Sequence, residues 1–172
     1  MHGVGVHAAK RFPRFSYIGT HEYSITCCTF SRRRYFTMNQ VVDVVRTKLL
    51  HIAGVSRFEI PAYCFMPDHV HFVAAGTSVD SNLRRFVHAW KQQTGYAHRQ
   101  STSSQLWQGG FYDHVLRDEE DRPAVIRYLL ENPIRAGLVA DLRCYPHWGS
   151  GLCSREGLLE ILYDEETPVR GG

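Results

Sequence analysis

The stretch FMPDHVHFV, residues 65–73, places two histidines one residue apart. Side chains at positions i and i+2 of a β-strand point to the same face, so His69 and His71 would lie side by side with Cα atoms about 6.6 Å apart. That spacing lets both imidazoles reach one ion. Imidazole suits Zn, Mn, Ni or Fe, and an added amide or carboxylate ligand with bound phosphate would favour Mn²⁺ or Mg²⁺. The alternative is a pair of ordinary half-buried histidines on a sheet surface.

A second pair of reactive residues occurs in VIRYLLENPIRAGLV, where Tyr128 and Asn132 are four residues apart. This spacing puts both on one face of a helix. If that face meets the histidines, the Asn132 amide oxygen could complete a metal shell and the Tyr128 hydroxyl could reach a phosphate bound to the ion. The alternative for Tyr128 is a residue of the core or its rim. The motifs of zinc proteases and of phosphodiesterases with two H-x-[ST] repeats do not occur in the sequence.

The strands that must position these residues are predicted from alternation and β-branched or aromatic content. We expect strands at 22–30, 58–65, 69–75 and 111–117, with the second and third joined by a tight turn at Pro67 and Asp68.

The helices are predicted from apolar periodicity and capping residues. One should run to about Ala53 after a cap at Thr37 or Asn39, a second should span 82–98 after Asp80 or Ser81, and a third should follow Asp118 and end at Pro133. The second helix should bury Leu83, Phe86, Val87, Trp90 and Ala97. A short amphipathic helix is expected from Ser154.

The order of these elements is that of a ferredoxin-like α+β sandwich. Its antiparallel sheet would carry two helices on one face, and an additional C-terminal helix would bring Tyr128 to the other. The 172 residues suit one domain. We expect a flexible arm at 1–14, the folded domain at 15–150, and a short helix with an acidic tail at 151–172. With no apolar run of membrane-spanning length and no paired cysteine pattern, the chain is expected to be cytoplasmic.

The net charge of +3 is unevenly distributed along the chain. Basic residues dominate the first 60 positions, and acidic residues dominate after position 117. Clusters of basic residues could contact a phosphate backbone or could equally form solvated faces. They are Arg32, Arg33 and Arg34 in one segment, and Arg84, Arg85 and Lys91 in another.

Three motifs together resemble a known family. FMPDHVHFV resembles the histidine-hydrophobe-histidine (HUH) motif of single-tyrosine transposases. In combination with LWQGGFYDHVLR and RYLLENPIRAGLV, it resembles the REP-associated tyrosine transposases of bacteria. The resemblance runs from about Tyr17 to Trp148. A lone H-x-H is a weak signal, whereas three motifs in the right order and spacing are a strong one.

The resemblance implies an HUH nuclease that recognises single-stranded DNA folded into hairpins, namely repetitive extragenic palindromes, and cuts one strand beside them. His69 and His71 match the family's metal ligands, Tyr128 its nucleophile, and Asn132 the polar residue that completes the site. Mg²⁺ or Mn²⁺ would be the cofactor, and a 5′-phosphotyrosine the intermediate.

The same resemblance suggests how DNA would be bound. The six clustered basic residues would contact phosphates and Trp107 would stack on an unpaired base, although Trp107 could equally be a core residue. We expect a monomer or homodimer associated with the nucleoid. Two alternatives stay open: a domesticated protein that binds hairpins without cutting them, and a replication initiator or relaxase, which the small size disfavours.

Overall fold

The computed structural model describes residues 15–117 and 120–163, so the predicted arm at 1–14, the end of the acidic tail and the expected cap Asp118 lie outside the described residues. The elements follow one another as β1 (Glu22–Cys28), α1 (Asn39–Val55), β2 (Phe58–Met66), β3 (His69–Gly76), α2 (Leu83–Thr102), β4 (Tyr112–Leu116), α3 (Arg122–Leu130), α4 (Asn132–Arg135), β5 (Trp148–Gly149) and α5 (Arg155–Tyr163). None of the helices described is long and apolar enough to cross a membrane.

The sheet has the strand order β4-β1-β3-β2-β5, with every neighbouring pair antiparallel. Its first four strands have the order of a ferredoxin-like fold, which confirms the predicted α+β class. The short β5 extends the sheet beyond β2, where Trp148 pairs with Cys64. Because β3 lies between β1 and β2, both histidines are in the middle of the sheet.

One face of the sheet packs against α1 and α2. Its core includes Val45 and Leu49 of α1, Trp90 of α2, and Ile25 and Phe72 of the sheet, all at most 2 % exposed. These strand residues alternate with those on the opposite face, as the two-residue period of a strand requires. The hydrophobic periodicity read from the sequence therefore identified this layer.

The opposite face is covered by a second core. Val73 and Cys64 of the sheet pack here with Leu130 of α3 and Leu158 of α5. The molecule therefore has three layers, with the sheet in the middle, and α3 lies on the same face as His69 and His71. The short α5 was predicted, but its packing beside α3 was not.

Helix boundaries differ from the predictions at the caps. Met38 occupies the N-cap of α1, so neither Thr37 nor Asn39 caps it. Asn82 caps α2 by accepting a hydrogen bond from the Arg85 amide. The expected caps are engaged elsewhere, since Asp80 pairs with the Arg57 guanidinium and the Ser81 hydroxyl donates to the Arg57 carbonyl.

The second and third helices also differ in extent and burial. The helix α2 continues to Thr102, and Thr94 and His98 are buried on it while Ala97 is only half-buried. The helix α3 begins after Asp121, whose carboxylate accepts from the Ala124 amide at 3.3 Å.

Candidate active site

The two histidines converge through the same ring atom. His69 Nε2 and His71 Nε2 are 2.9 Å apart, and the ring planes are nearly perpendicular at 89°. This closeness follows from their alternation on β3, which puts both side chains on the face covered by α3. Two imidazole nitrogens at this distance repel unless a proton or a cation is shared between them. The two Nε2 atoms therefore lie close enough to act on the same proton or cation.

Each imidazole is held by a partner on its other nitrogen. His69 Nδ1 lies 2.6 Å from Asp68 Oδ1, and His71 Nδ1 lies 2.7 Å from the Thr26 hydroxyl oxygen. Thr26 can reach His71 because β1 pairs with β3 in a register that puts these residues opposite each other. Such partners fix ring orientation and tautomer, and they leave both Nε2 atoms directed at the shared space.

Burial keeps both imidazoles neutral. It lowers the pKa of His69, against the opposing effect of Asp68. Burial also lowers the pKa of His71 to about 3, with the neighbouring His69 lowering it further. Neutral imidazole is the form that ligates a metal, so both histidines are in the protonation state that a metal ligand requires.

Arg32 belongs to this site, although the sequence suggested only a phosphate contact. Its Nε is 3.1 Å from Asp68 Oδ2, and its Nη1 donates to Cys28 Sγ at 2.8 Å. Ser31 and Arg32 have φ values of 52° and 54°, a left-handed conformation that costs roughly 1 kcal/mol for each non-glycine residue. The ion pair with Asp68 links Arg32 to the histidine pair.

Tyr128 and Asn132 line the same cleft as the two histidines. The cleft has a volume of about 640 Å³, and Ser24, Thr26, Cys28, Arg32, Gln108, Tyr112, Val125 and Leu129 complete its walls. Tyr128 is 65 % exposed, so a substrate can approach it. The Asn132 Nδ2 donates to the Leu129 carbonyl at 2.9 Å, which leaves the amide oxygen as the atom for a ligand. The predicted residues are thus brought together by α3 and α4 crossing the histidine face.

A network from the C-terminal helix supports Tyr128. The Arg135 guanidinium carbon lies 3.7 Å from the centre of the Tyr128 ring, and Arg135 also donates to the Tyr128 carbonyl. Glu131 pairs with Arg135 at 3.7 Å and accepts from the Tyr163 hydroxyl at 3.1 Å. The chain of contacts therefore runs from α5 through Glu131 and Arg135 to the tyrosine.

Two of the residues predicted to contact DNA, Lys91 and Trp107, make contacts within the protein. Lys91 Nζ donates to the Gln108 carbonyl at 2.7 Å and also to the Gly110 carbonyl, because the loop before β4 folds over α2. Trp107 is 6 % exposed, packs against Trp90 and donates from Nε1 to Thr94 at 2.8 Å. This burial favours the core role for Trp107 over base stacking.

The other basic candidates are solvent-accessible. Arg33 donates to the Tyr35 hydroxyl at 3.3 Å, and Arg34 is exposed beside it. On α2, Arg84 and Arg85 are both exposed, and the Arg84 guanidinium lies 4.5 Å from the Tyr17 ring centre. These four residues stay candidates for phosphate contacts.

Sequence reasoning missed Thr26, Asp68 and Arg135 as parts of the site. Asp68 could have been identified from the sequence, because a carboxylate directly before a histidine ligand commonly orients that histidine. Arg135 lies seven residues after Tyr128, two helical turns along, which was also readable from the sequence. Thr26 could not be identified without the β1–β3 register.

A metal at this site would depend on few protein ligands. Within residues 15–117 and 120–163 there is no group of three or more His, Cys, Asp or Glu side chains that could hold an ion. Two neutral imidazoles and the Asn132 oxygen fit a divalent ion whose remaining positions go to substrate oxygens and water. The donor set is therefore that of an open site.

Two bacterial proteins are similar to this chain in sequence. The REP-associated tyrosine transposase of Escherichia coli is 22% identical over 114 residues, which cover 66% of this chain and 67% of that protein. A Haemophilus influenzae protein provisionally named as a REP-associated tyrosine transposase is 26% identical over 101 residues, or 52% of this chain. The aligned part spans 57% of the Haemophilus protein's length.

A solved structure and a family profile complete the comparison. The structure of a REP-associated tyrosine transposase bound to a REP hairpin matches with a TM-score of 0.68 and 23% identity, covering 78% of this chain and 79% of that one. This match shows the fold. The profile of the family described as "Transposase IS200 like" matches residues 18–132, from the start of the sheet to Asn132. The chain therefore belongs to the IS200-like transposase family, and its resemblance to the REP-associated tyrosine transposases is confirmed.

Proposed function

We propose that the chain binds single-stranded DNA hairpins and cuts and rejoins one strand with Tyr128 as nucleophile. The observation that carries this proposal is the shared cleft, in which an accessible phenol and an amide face two neutral imidazoles with converging Nε2 atoms. Covalent catalysis needs a nucleophile close to a group that stabilises the charge developing on the substrate. Here the nucleophile would be Tyr128, and the histidine pair would hold that group. The hairpin form of the DNA is supported by the similar transposase whose structure holds a REP hairpin.

In the proposed reaction, Tyr128 Oη attacks the scissile phosphorus and forms a tyrosine–phosphate bond. The bond from phosphorus to the 3′ oxygen breaks, so the upstream strand ends in a 3′-OH and the downstream strand carries a 5′-phosphotyrosine. The phenol loses one proton and the leaving oxygen gains one. One phosphodiester replaces another, so a 3′-OH can attack the intermediate and rejoin the strand.

His69, His71 and Asn132 would hold the divalent ion, Mg²⁺ or Mn²⁺, which when bound supplies a Lewis acid for the charge that develops on the phosphate. The other residues of the site prepare this arrangement. Asp68 and Thr26 fix the two imidazoles, Arg135 restrains the Tyr128 ring, and the Arg32 guanidinium brings positive charge to the cleft wall.

The experiment is adduct formation on labelled single-stranded hairpin oligonucleotides with Mn²⁺ or Mg²⁺. The native chain should give an SDS-resistant protein–DNA adduct, and Tyr128→Phe should give none while binding the hairpin with unchanged affinity. Tyr112→Phe, which removes the hydroxyl of another exposed tyrosine of the same cleft, is the matched control and should still form the adduct. Binding without an adduct in either metal would favour the non-cutting hairpin-binding protein.

A further inference from the structure

The wall of the active-site cleft carries a permanent positive charge. Among the described residues that line this cleft, Arg32 is the only one of the types Arg, Lys, Asp and Glu. A phosphate that undergoes displacement carries negative charge on its non-bridging oxygens in the transition state, and cations held in place stabilise that charge. Arg32 therefore lies where a reacting phosphate would need a balancing charge.

The Arg32 guanidinium is fixed by two contacts and keeps donors to spare. Its Nε lies 3.1 Å from Asp68 Oδ2, and its Nη1 donates to Cys28 Sγ at 2.8 Å. A guanidinium has five N–H donors in one plane, so the remaining donors are available to a ligand. Within the described part of the chain, Arg32 Nη2 has no hydrogen-bond partner. Since the side chain is 53% exposed, a ligand in the cleft can reach it.

The same carboxylate holds Arg32 and one of the two histidines. Asp68 Oδ1 lies 2.6 Å from His69 Nδ1, while Asp68 Oδ2 pairs with the Arg32 Nε. One side chain thus sets the position of the guanidinium relative to the imidazole. A cation that is held in place before the substrate arrives needs no reorganisation during the reaction.

The backbone that carries Arg32 has an uncommon conformation. Ser31 and Arg32 are consecutive non-glycine residues with φ values of 52° and 54°. Such residues cluster at functional sites and persist where the surrounding structure determines them. The buried Thr29 hydroxyl lies 2.7 Å from the Arg33 carbonyl oxygen and 2.9 Å from the Asp68 carbonyl oxygen. Thr29 therefore ties this segment to the turn that carries Asp68.

We infer that Arg32 is a catalytic residue whose free guanidinium donors bind a non-bridging oxygen of the scissile phosphate while Tyr128 attacks the phosphorus. The inference rests on the proposed function, since it takes cleavage of the DNA strand as the reaction. The guanidinium keeps all its protons during the reaction and contributes charge and hydrogen bonds alone. This role differs from that of Arg84 and Arg85, which do not line the cleft and would act on hairpin affinity.

The rate of adduct formation at saturating hairpin measures this role. Arg32→Ala should slow the reaction about 100-fold, as is typical when one donor to a developing negative charge is removed. Its hairpin affinity should stay within about threefold of the native value, because the contact acts mainly in the transition state. Arg32→Lys should restore only part of the rate, because an ammonium lacks the planar set of donors. Arg46→Ala, which removes an arginine paired with Asp43 on α1, is the matched control and should react like the native chain.

Phosphorothioates at the scissile position test the contact itself. Each of the two stereoisomers replaces one non-bridging oxygen by sulfur, which is a weaker hydrogen-bond acceptor. The isomer that changes the oxygen bound by Arg32 should slow the native chain about tenfold, as expected for a weakened hydrogen bond to a charged group. Arg32→Ala lacks the contact, so this isomer should not slow it further.

Binding of Mn²⁺ to Arg32→Ala, measured by calorimetry, separates this role from support of the metal site. The affinity should be no weaker than that of the native chain, because the variant removes a positive charge near the ion. The inference is overturned if Arg32→Ala keeps the native rate or if its rate loss is matched by an equal loss of hairpin or Mn²⁺ affinity. It is also overturned if both phosphorothioate isomers slow Arg32→Ala as much as they slow the native chain.

The native chain distinguishes failure of this inference from failure of the proposed function. If the native chain forms no adduct with an unmodified hairpin, the proposed cleavage fails and the role of Arg32 fails with it. If the native chain forms the adduct and Arg32→Ala gives one of the contrary results, the cleavage stands and only the assignment of Arg32 fails.

Discussion

At the scale of single residues, neighbouring side chains set the geometry of the histidine pair. Two imidazoles on one strand face are common, but here Asp68 and Thr26 engage both Nδ1 atoms, so the two Nε2 atoms meet at 2.9 Å. The sequence predicted the pair and its shared face. It could not predict the Thr26 contact, because that depends on the pairing register of two strands far apart in the chain.

Asp68, which contacts Nδ1 of His69, should control the affinity of the proposed site for a metal ion. Asp68→Asn weakens the charge behind His69, and we expect Mn²⁺ to bind roughly 10- to 100-fold more weakly, as is typical when such a partner is lost. Isothermal titration calorimetry measures this directly. Asp80→Asn, on an exposed carboxylate paired with Arg57, is the control and should bind Mn²⁺ like the native chain. Equal affinity in all three proteins would show that Asp68 does not act through His69.

The histidine pair should also make metal-free stability depend on pH. The pKa of both imidazoles is lowered in the folded state from the ordinary 6.5, and that of His71 to about 3. As the pH falls below about 6.5, the unfolded chain therefore takes up protons that the folded chain does not, and stability is lost. Thermal unfolding between pH 8 and pH 4 should show a decline below pH 6.5 that is shallower in His71→Gln. A parallel decline in both proteins would contradict this account.

At the scale of elements, the sheet was predictable, and the position of the helix that carries Tyr128, the proposed nucleophile, was only partly so. The hairpin of β2 and β3 was predicted from alternation and a tight turn, and the ferredoxin-like sheet was predicted from the order of the elements. The position of α3 over the histidines depends instead on the second core, where Leu129 and Leu130 pack with Leu158 of α5. Sequence periodicity shows that a helix has an apolar face, but it does not show which sheet face receives it.

The contact between Arg135 of α4 and Tyr128 of α3 should position the proposed nucleophile. Arg135→Ala removes the guanidinium from the Tyr128 ring, and we expect adduct formation to slow roughly tenfold, the rate equivalent of about 1.4 kcal/mol, within the range of a cation–π contact. Hairpin affinity should change little, and Arg135→Lys should restore part of the rate. Arg143→Ala, an exposed arginine paired with Asp141, is the control. A loss of affinity without a loss of rate would instead assign Arg135 to DNA binding.

At the scale of the whole molecule, the central sheet packs against one hydrophobic core on each of its two faces. The α1–α2 layer has a groove at the edge of α2, and the α3–α5 layer carries Tyr128 and Asn132. The active-site cleft lies where the second layer leaves the sheet uncovered around β1 and β3. This division could not be predicted from composition or charge, because it depends on which face each helix packs against.

The second core should therefore be needed for folding as well as for placing Tyr128. Leu130 is fully buried and Leu138 is 41% exposed, so they form a matched pair of truncations. Leu130→Ala should lower the free energy of unfolding by about 2–5 kcal/mol, whereas Leu138→Ala should change it by less than about 0.5 kcal/mol. Urea denaturation gives both values. Similar losses in the two variants would mean that α3 is not held by the second core.

The most direct test of the account is to find which residue carries the DNA. After reaction of the native chain with a hairpin and Mn²⁺, nuclease and trypsin digestion should leave a nucleotide on the segment of residues 128–135, YLLENPIR, in which Tyr128 is the sole tyrosine. Mass spectrometry should locate a 5′-linked phosphate on that residue. A nucleotide attached to any other tyrosine, with the segment 128–135 unmodified, would contradict the assignment of Tyr128 as the nucleophile.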